Sequence, residues 1–334
     1  MIAQISLLVM LVRLVDLIPL APRPAKAGRG RPTLYSDRLF LKALVIMIVK
    51  HLHTPYELLS VLEQPTPEME ALRALLTESG CYPTRRTWER RLKALPDQLP
   101  AQIGCLGRHL VSLIQPWDNC GRAVAADSTV LRARGGVWHQ KDREVGEVPH
   151  TSIDTEAHWT KSGWHGWVYG WKLHLTSVVA SVWLPLSAEL TAANIADSDP
   201  SVINTLLSEL PDEVRFVLGD RHYNRDDVRA ACAPGVCTDA GLVLVTSCYG
   251  RYPHTDSGVE VRRVFHKLRS LAIENFNEHF KGIFDGHGQV PTKGLIATRR
   301  FALGAVFVYQ LALLYRHEQG LDLNVGLKAF LKAA

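Results

Sequence analysis

Between Gly121 and Ser247 the chain sets apolar runs and polar breaks in an order that few architectures accept. "RAVAADSTVLRA", "YGWKLHLTSVVA" and "WLPLSAELTA" are short, apolar and closely spaced, as an antiparallel meander requires. "DPSVINTLLSEL" then carries helical spacing, followed by strand "VRFVLGD", helix "NRDDVRAACA" and strand "GLVLVTS". The predicted order is three strands, then helix and strand in alternation.

That order matches a ribonuclease-H-like fold, an α/β chain whose mixed sheet is flanked by helices and whose first and fourth strands lie side by side. Each of those strands carries an acid where it emerges: Asp127 in "VAADSTVLRAR" and Asp220 in "VRFVLGDRHYN". A lone Asp after a strand is most often a turn or helix cap. Two of them on neighbouring strands predict a shared site. A third acid, Glu274 in "KLRSLAIENFNEHFK", falls on a predicted helix with Lys267 and Lys281 seven residues to either side, hence on one face. Glu278 lies on nearly the same face and is the alternative third acid; the bland reading of the stripe is an exposed row of ion pairs. Convergent carboxylates bind hard divalent cations. Two such ions activate a water or a 3′-hydroxyl and stabilise the leaving oxygen in phosphodiester displacement.

Ahead of the sheet the character is helical. "DRLFLKALVIMIVKHLHT" follows a plausible N-cap at Ser36, "PYELLSVLEQ" follows Pro55, and "PEMEALRALLTESG" ends at Gly80. "CYPTRRTWERRLKAL" is then predicted to form a helix capped by Thr84 or Thr87 that shows Arg85, Arg86, Arg90, Arg91 and Lys93 to solvent. Short helices and tight turns suit a helix-turn-helix module, with the arginines touching phosphates. A formal charge of +5 and a pI near 8.9 are mild, so a nucleic-acid role rests on this cluster and on the basic linker "PLAPRPAKAGRGRPT" rather than on bulk charge.

At 334 residues and 47% hydrophobic content the chain buries a substantial core and is not disordered. The apolar opening "MIAQISLLVMLVRLVDLIPL" is interrupted by Arg13, Asp16 and Pro19, and reads as an amphipathic helix on the body or on a second subunit rather than as a membrane span. "FALGAVFVYQLALLY" is too short to cross a bilayer and reads as a core helix. The six cysteines show no CxxC spacing and suit a reducing cytosol. Among His158, His165, His174 and His222 nothing resembles HExxH, so they are read as surface or core-edge residues. Trp138, Trp159, Trp164 and Trp167, between the first two strands, are expected to pack partly against the sheet; stacking on an unpaired base is the alternative.

"DSTVLRA", "YGWKLHL", "LGDRHYN" and "IENFNEHFK", in that order, resemble the catalytic domain of bacterial insertion-sequence transposases of the DDE class, in the broad IS-four and IS-five groups. The likeness runs over roughly residues 120 to 317, and the short interval before Glu274 leaves no room for the large β-rich insertion of some relatives. The resemblance implies metal-dependent cleavage at transposon ends and attack of the freed 3′-hydroxyl on target DNA. Asp127, Asp220 and Glu274 would then hold two Mg²⁺ ions, with Mn²⁺ able to substitute, and Lys281 would grip end DNA. Tyr223, three after Asp220, fits the pattern as well and is grouped with Lys267, Arg269 and Lys281 among the expected DNA-contacting residues. The family's tyrosine and arginine before the glutamate fall at Lys267 and Ser270 here, so Arg269 is the substitute, one place off. Expected partners are the terminal inverted repeats, target DNA and a second copy of the chain, in the bacterial cytoplasm on chromosomal DNA, with no membrane. The expected division is an apolar helix and linker (1–27), a helical DNA-binding domain (28–118), the catalytic domain (119–318) and a tail (319–334). A nuclease without strand transfer, or a silent DNA-binding relic, are the alternatives.

Overall fold

The first strand, β1 (Ala123–Arg132), organises the sheet of this computed structural model, which describes residues 6–22, 34–117, 121–163, 166–246, 263–264, 267–283 and 288–332. β1 pairs antiparallel with β3 (Gly166–Val178), with Asp127 opposite Leu175 and Ser128 opposite His174. β3 pairs antiparallel with β4 (Pro185–Ala192), and a short strand β2 (His158–Ser162) forms a hairpin with the start of β3. On its other edge β1 runs parallel to β5 (Phe216–Gly219), and β5 parallel to β6 (Val243–Thr246). The order β4, β3, β1, β5, β6, with three antiparallel strands and two parallel ones, is the ribonuclease-H-like arrangement expected from the sequence. β2 is an addition: the segment between the first two strands lacks the alternation that marks a strand. It also holds a short helix, α7 (Gln140–Glu144).

Close packing fixes the register where β1 meets β3. A Cβ on Gly170 would stand 2.0 Å from the carbonyl oxygen of Leu131, so only glycine fits. Helices cover both faces. Ser187 on β4 donates to the Leu206 carbonyl of α8 (Pro200–Ser208) at 2.8 Å, while its neighbour Leu186 lies against Gly107 of α6 (Leu99–Ile114), as alternation along a strand demands.

Five helices precede α6: α1 (Leu7–Leu17), α2 (Asp37–Val49), α3 (Pro55–Leu62), α4 (Pro67–Leu75) and α5 (Arg85–Ala94). Ser36 caps α2, accepting from the Leu39 N–H, and Thr84 rather than Thr87 caps α5. Thr54 and Glu57 form a reciprocal capping box on α3. α9 (Asp226–Ala231) follows β5, α10 (Asn275–Ile283) carries the end of the third motif, and α11 (Leu295–Glu318) is the longest helix described. α11 runs past the apolar stretch at both ends and reaches 24 residues, long and apolar enough to cross a membrane; 78% of its most apolar window is nevertheless buried by protein. Gln310 explains how a polar group is held there: its Nε2 donates to the carbonyls of Ile103 on α6 and Pro185 on β4.

α1 packs on the body, against α2, α4 and α11, and buries Leu8, Val9, Leu11, Val12, Leu14 and Val15. Lys42 reaches Asp16 at 2.8 Å, and Arg38 donates to the carbonyls of Val15 and Ile18. One continuous apolar core runs from these helices into the sheet.

Candidate active site

β1 and β5 pair in parallel, an arrangement that suits their apolar runs "AVAA" and "VLG", both buried in the sheet, and their pairing sets Ala125 beside Leu218. Two residues beyond each lie Asp127 and Asp220. Asp220 follows the carboxyl end of β5, where α/β sheets bind ligands, whereas Asp127 lies inside β1, opposite Leu175 and just past the stretch paired with β5, and not at a strand end as the sequence suggests. Asp220 starts a turn over Arg221–Tyr223 and accepts from the His222 N–H at 2.8 Å. Gly219 makes that turn possible: a Cβ there would stand 2.7 Å from the Tyr223 side chain.

Asp127 accepts from the Ser128 N–H at 2.8 Å with one oxygen and from Nη2 of Arg269 at 3.0 Å with the other, its side chain only 17% exposed. Burial pushes its pKa up to about 6. The Arg269 guanidinium and the Ser128 N–H work against that rise, and the nearby charges of Asp220 and Asp197 add to it. The Asp220 charge disfavours that of Asp127, and the Arg269 guanidinium is seated on Asp127, where a hard cation could take its place. Lys281 also faces Asp127; burial lowers the pKa of its ammonium while the Asp127 charge opposes the shift.

The structure brings the first two acids together and leaves the third apart. Glu274 is exposed and accepts from the Ser270 hydroxyl at 2.8 Å. The stretch Ser270–Glu274 is π-helical, and the extra residue in its turn shifts the phase of the succeeding helix by about 100°. That extra residue lies between Lys267 and Glu274, so it turns Lys267 out of the face that the seven-residue spacing predicts for Lys267, Glu274 and Lys281; Lys267 and Glu274 are exposed, and Lys281 is half-buried and feels the Asp127 charge. Glu278, the alternative acid, is exposed as well. Among the described residues no three or more His, Cys, Asp or Glu side chains gather closely enough to hold a metal ion. The Asp127 and Asp220 donors fit a hard cation such as Mg²⁺, which takes one or two carboxylates plus substrate phosphate oxygens.

Two expectations need correction. Tyr223, grouped with the DNA-contacting residues, is 1% exposed; its ring packs under Gly219, so it lines the core and not a DNA-facing surface. Arg91 is not turned to solvent with the rest of its cluster. It pairs with Asp37 of α2 and lies over the Phe40 ring, its carbon 4.4 Å from the centroid. Arg86, Arg90 and Lys93 are exposed, and Arg85 is exposed while paired with Glu89 at 2.8 Å. The opposite face of α5 buries Trp88 and Leu92, with Trp88 edge-on to Phe40 at 5.2 Å.

Trp138 and Trp159 are tied to backbone carbonyls, of Glu147 and Trp138 respectively, as expected of partly packed rings, whereas Trp167 is exposed. Trp164, His165, Cys120, Cys248 and most of the basic linker lie outside the described residues. Sequence reasoning missed Asp197, which sits near both Asp127 and Tyr223. In "AANIADSDP" it reads as one of several helix-capping acids, and Asp199 is the one that caps α8. The signal that pointed to it was the pair Lys172 and His174 on one strand face, which calls for a counter-charge.

No protein-family model matches the chain, and no curated protein matches it. Among solved structures it is similar to the Mos1 transposase paired-end complex with left transposon end, at 14% identity over 86% of this chain and 81% of that one, with a TM-score of 0.23. The Mos1 strand transfer complex gives the same figures, and the Mos1 mariner paired end complex with Mn gives 14%, 86%, 81% and 0.22. Scores this low mark a loose likeness, and the fold assignment rests on the strand order itself.

Proposed function

We propose that this chain is a DDE transposase of the bacterial insertion-sequence kind, cutting DNA at the ends of its element and joining the freed 3′-hydroxyl to target DNA. The observation that carries the reading is the pairing of β1 with β5, which sets Asp127 and Asp220 side by side with the Arg269 cation on the pair. In this reading Asp127 and Asp220 hold divalent cation, Mg²⁺ or Mn²⁺, with Glu274 as the third acid once the helix that bears it turns inward. Bound there, the ions would supply Lewis-acid stabilisation of the scissile phosphate and a more acidic attacking water. Arg269, paired with Asp127 here, would with Lys267 and Lys281 bind the phosphates of end DNA. The exposed face of α5, with Arg85, Arg86 and Arg90, positions the duplex through its backbone, residues 28–118 forming the DNA-binding part. Two copies pair the two ends, in the cytoplasm on chromosomal DNA.

The test separates joining from cutting. Pre-cut end DNA with a 3′-hydroxyl, incubated with plasmid target and Mg²⁺, is expected to give joined products that EDTA abolishes and Glu274→Gln reduces at least about a hundredfold. Cleavage of intact ends without any joining would assign a nuclease instead. The exposure of Glu274 favours a second reading, a DNA-binding relic. That reading expects end binding and no cut in either Mg²⁺ or Mn²⁺.

A further inference from the structure

Lys172 and His174 stand two residues apart on β3, so both leave the sheet on one face, and both are largely buried. Asp197, between β4 and α8, lies over them. Its Oδ1 is 3.2 Å from Nζ of Lys172 and 3.3 Å from Nδ1 of His174, within ion-pair range but not aligned for hydrogen bonding. Lys172 also donates to the Ile195 carbonyl at 2.8 Å, which fixes the ammonium to the same loop. Nε2 of His174 meets the Thr191 hydroxyl at 2.9 Å. Burial works to raise the pKa of Asp197, yet His174, Lys172 and the Ser128 side chain together hold it well below the usual carboxylate range.

The network reaches the candidate metal site by two routes. Ser128 follows Asp127 and lies across the sheet from His174. Tyr223, in the turn that Asp220 begins, feels the charges of Asp197, Asp127 and Asp220, and its buried hydroxyl has no hydrogen-bond partner.

We infer that Asp197 is a positioning residue: it neutralises Lys172 and pins the loop before α8 to the strand that bears Asp127, leaving Asp127 and Asp220 as the charges that face a cation. The inference rests on the reading of that pair as cation-holding. Asp197 does not itself act as a ligand, since its Oδ1 faces the Lys172 ammonium and Nδ1 of His174 and no three-residue ligand set forms among the described residues. Without it, a buried ammonium stands uncompensated beside the site and repels a second cation.

The test is Mn²⁺ binding to the full chain without DNA, read from the electron paramagnetic resonance signal of free Mn²⁺. Wild type is expected to bind and the Asp127→Asn/Asp220→Asn double variant not to. Asp197→Asn should bind about 10- to 100-fold more weakly, the usual cost of disturbing a group behind the ligands. Adding Lys172→Met to it should restore affinity to within about threefold of wild type, because the uncompensated charge is then gone. If Asp197→Asn fails to fold, Lys172→Met alone decides: it should bind at least as tightly as wild type, and weaker binding overturns the inference. A wild type that binds no Mn²⁺ removes the metal reading and this inference with it. Wild-type binding with an unchanged Asp197→Asn removes this inference alone. Weak binding that Lys172→Met does not restore makes Asp197 a ligand, contrary to what is inferred.

Discussion

Asp127 is held in two opposed ways, by burial that favours its neutral form and by Arg269 that favours its charge, and burial wins. A carboxyl whose folded pKa is about 6 rather than 3.8 binds a proton more readily folded than unfolded. Its contribution therefore favours the fold at low pH and is lost as pH rises through 6. The rise from 3.8 to about 6 corresponds to about 3 kcal/mol at most. Asp127→Asn should thus raise the thermal midpoint of metal-free protein at pH 8 and leave it nearly unchanged at about pH 3, below the unfolded value. Equal shifts at both pH values, measured by calorimetry, would show that the acid is not held protonated. Asp197 is the reverse case, a largely buried acid held ionised against that burial by His174, the Lys172 ammonium and the Ser128 side chain. These two acids, a few residues from strand ends, look alike in sequence; only the sheet pairing tells one from the other.

At the scale of elements, α5 divides its arginines between structure and surface. Arg91 holds Asp37 and covers Phe40, so Arg91→Ala should cost about 1–3 kcal/mol in denaturant unfolding. Arg86→Ala and Arg90→Ala should change stability by no more than about 0.5 kcal/mol. Together they should instead lower the salt slope of DNA binding by about 2, the mark of two lost phosphate contacts. An unchanged slope would assign those arginines to a solvated face. The helix was legible from "RRTWERRLK", but the inward turn of Arg91 was not, because it depends on Asp37, far away in sequence. The strand order was legible from periodicity, as were the Ser36 cap and the nearness of Asp127 to Asp220. The β2–β3 hairpin was hidden in an aromatic, mixed-charge segment without alternation. The π-helical turn at Ser270–Glu274 was hidden too, since no residue type announces an extra residue in a helical turn. The displacement of Lys267 from the face of Glu274 and Lys281 follows from that one turn.

For the whole molecule, the opening helix and the sheet share a core, so α1 is part of the fold and not an accessory. Deleting residues 1–18 removes six buried aliphatic side chains of α1, each worth about 1.5–3 kcal/mol when fully buried. The shortened chain is expected to unfold as one unit at much lower denaturant, seen equally by tryptophan fluorescence and circular dichroism. A truncated chain with an unchanged midpoint would make α1 a detachable arm. The same continuity ties the acid-bearing strands β1 and β5, the helix α5 and the lysine-bearing α10 to one core. The measurement that tests this account most directly is cleavage of labelled DNA carrying the flanking ends, with Mg²⁺ or EDTA, by wild type, Asp127→Asn and Asp220→Asn. The account predicts metal-dependent nicking by wild type at the element's end and at least about a hundredfold loss in each variant, with end binding retained. Nicking that persists in both variants would contradict it.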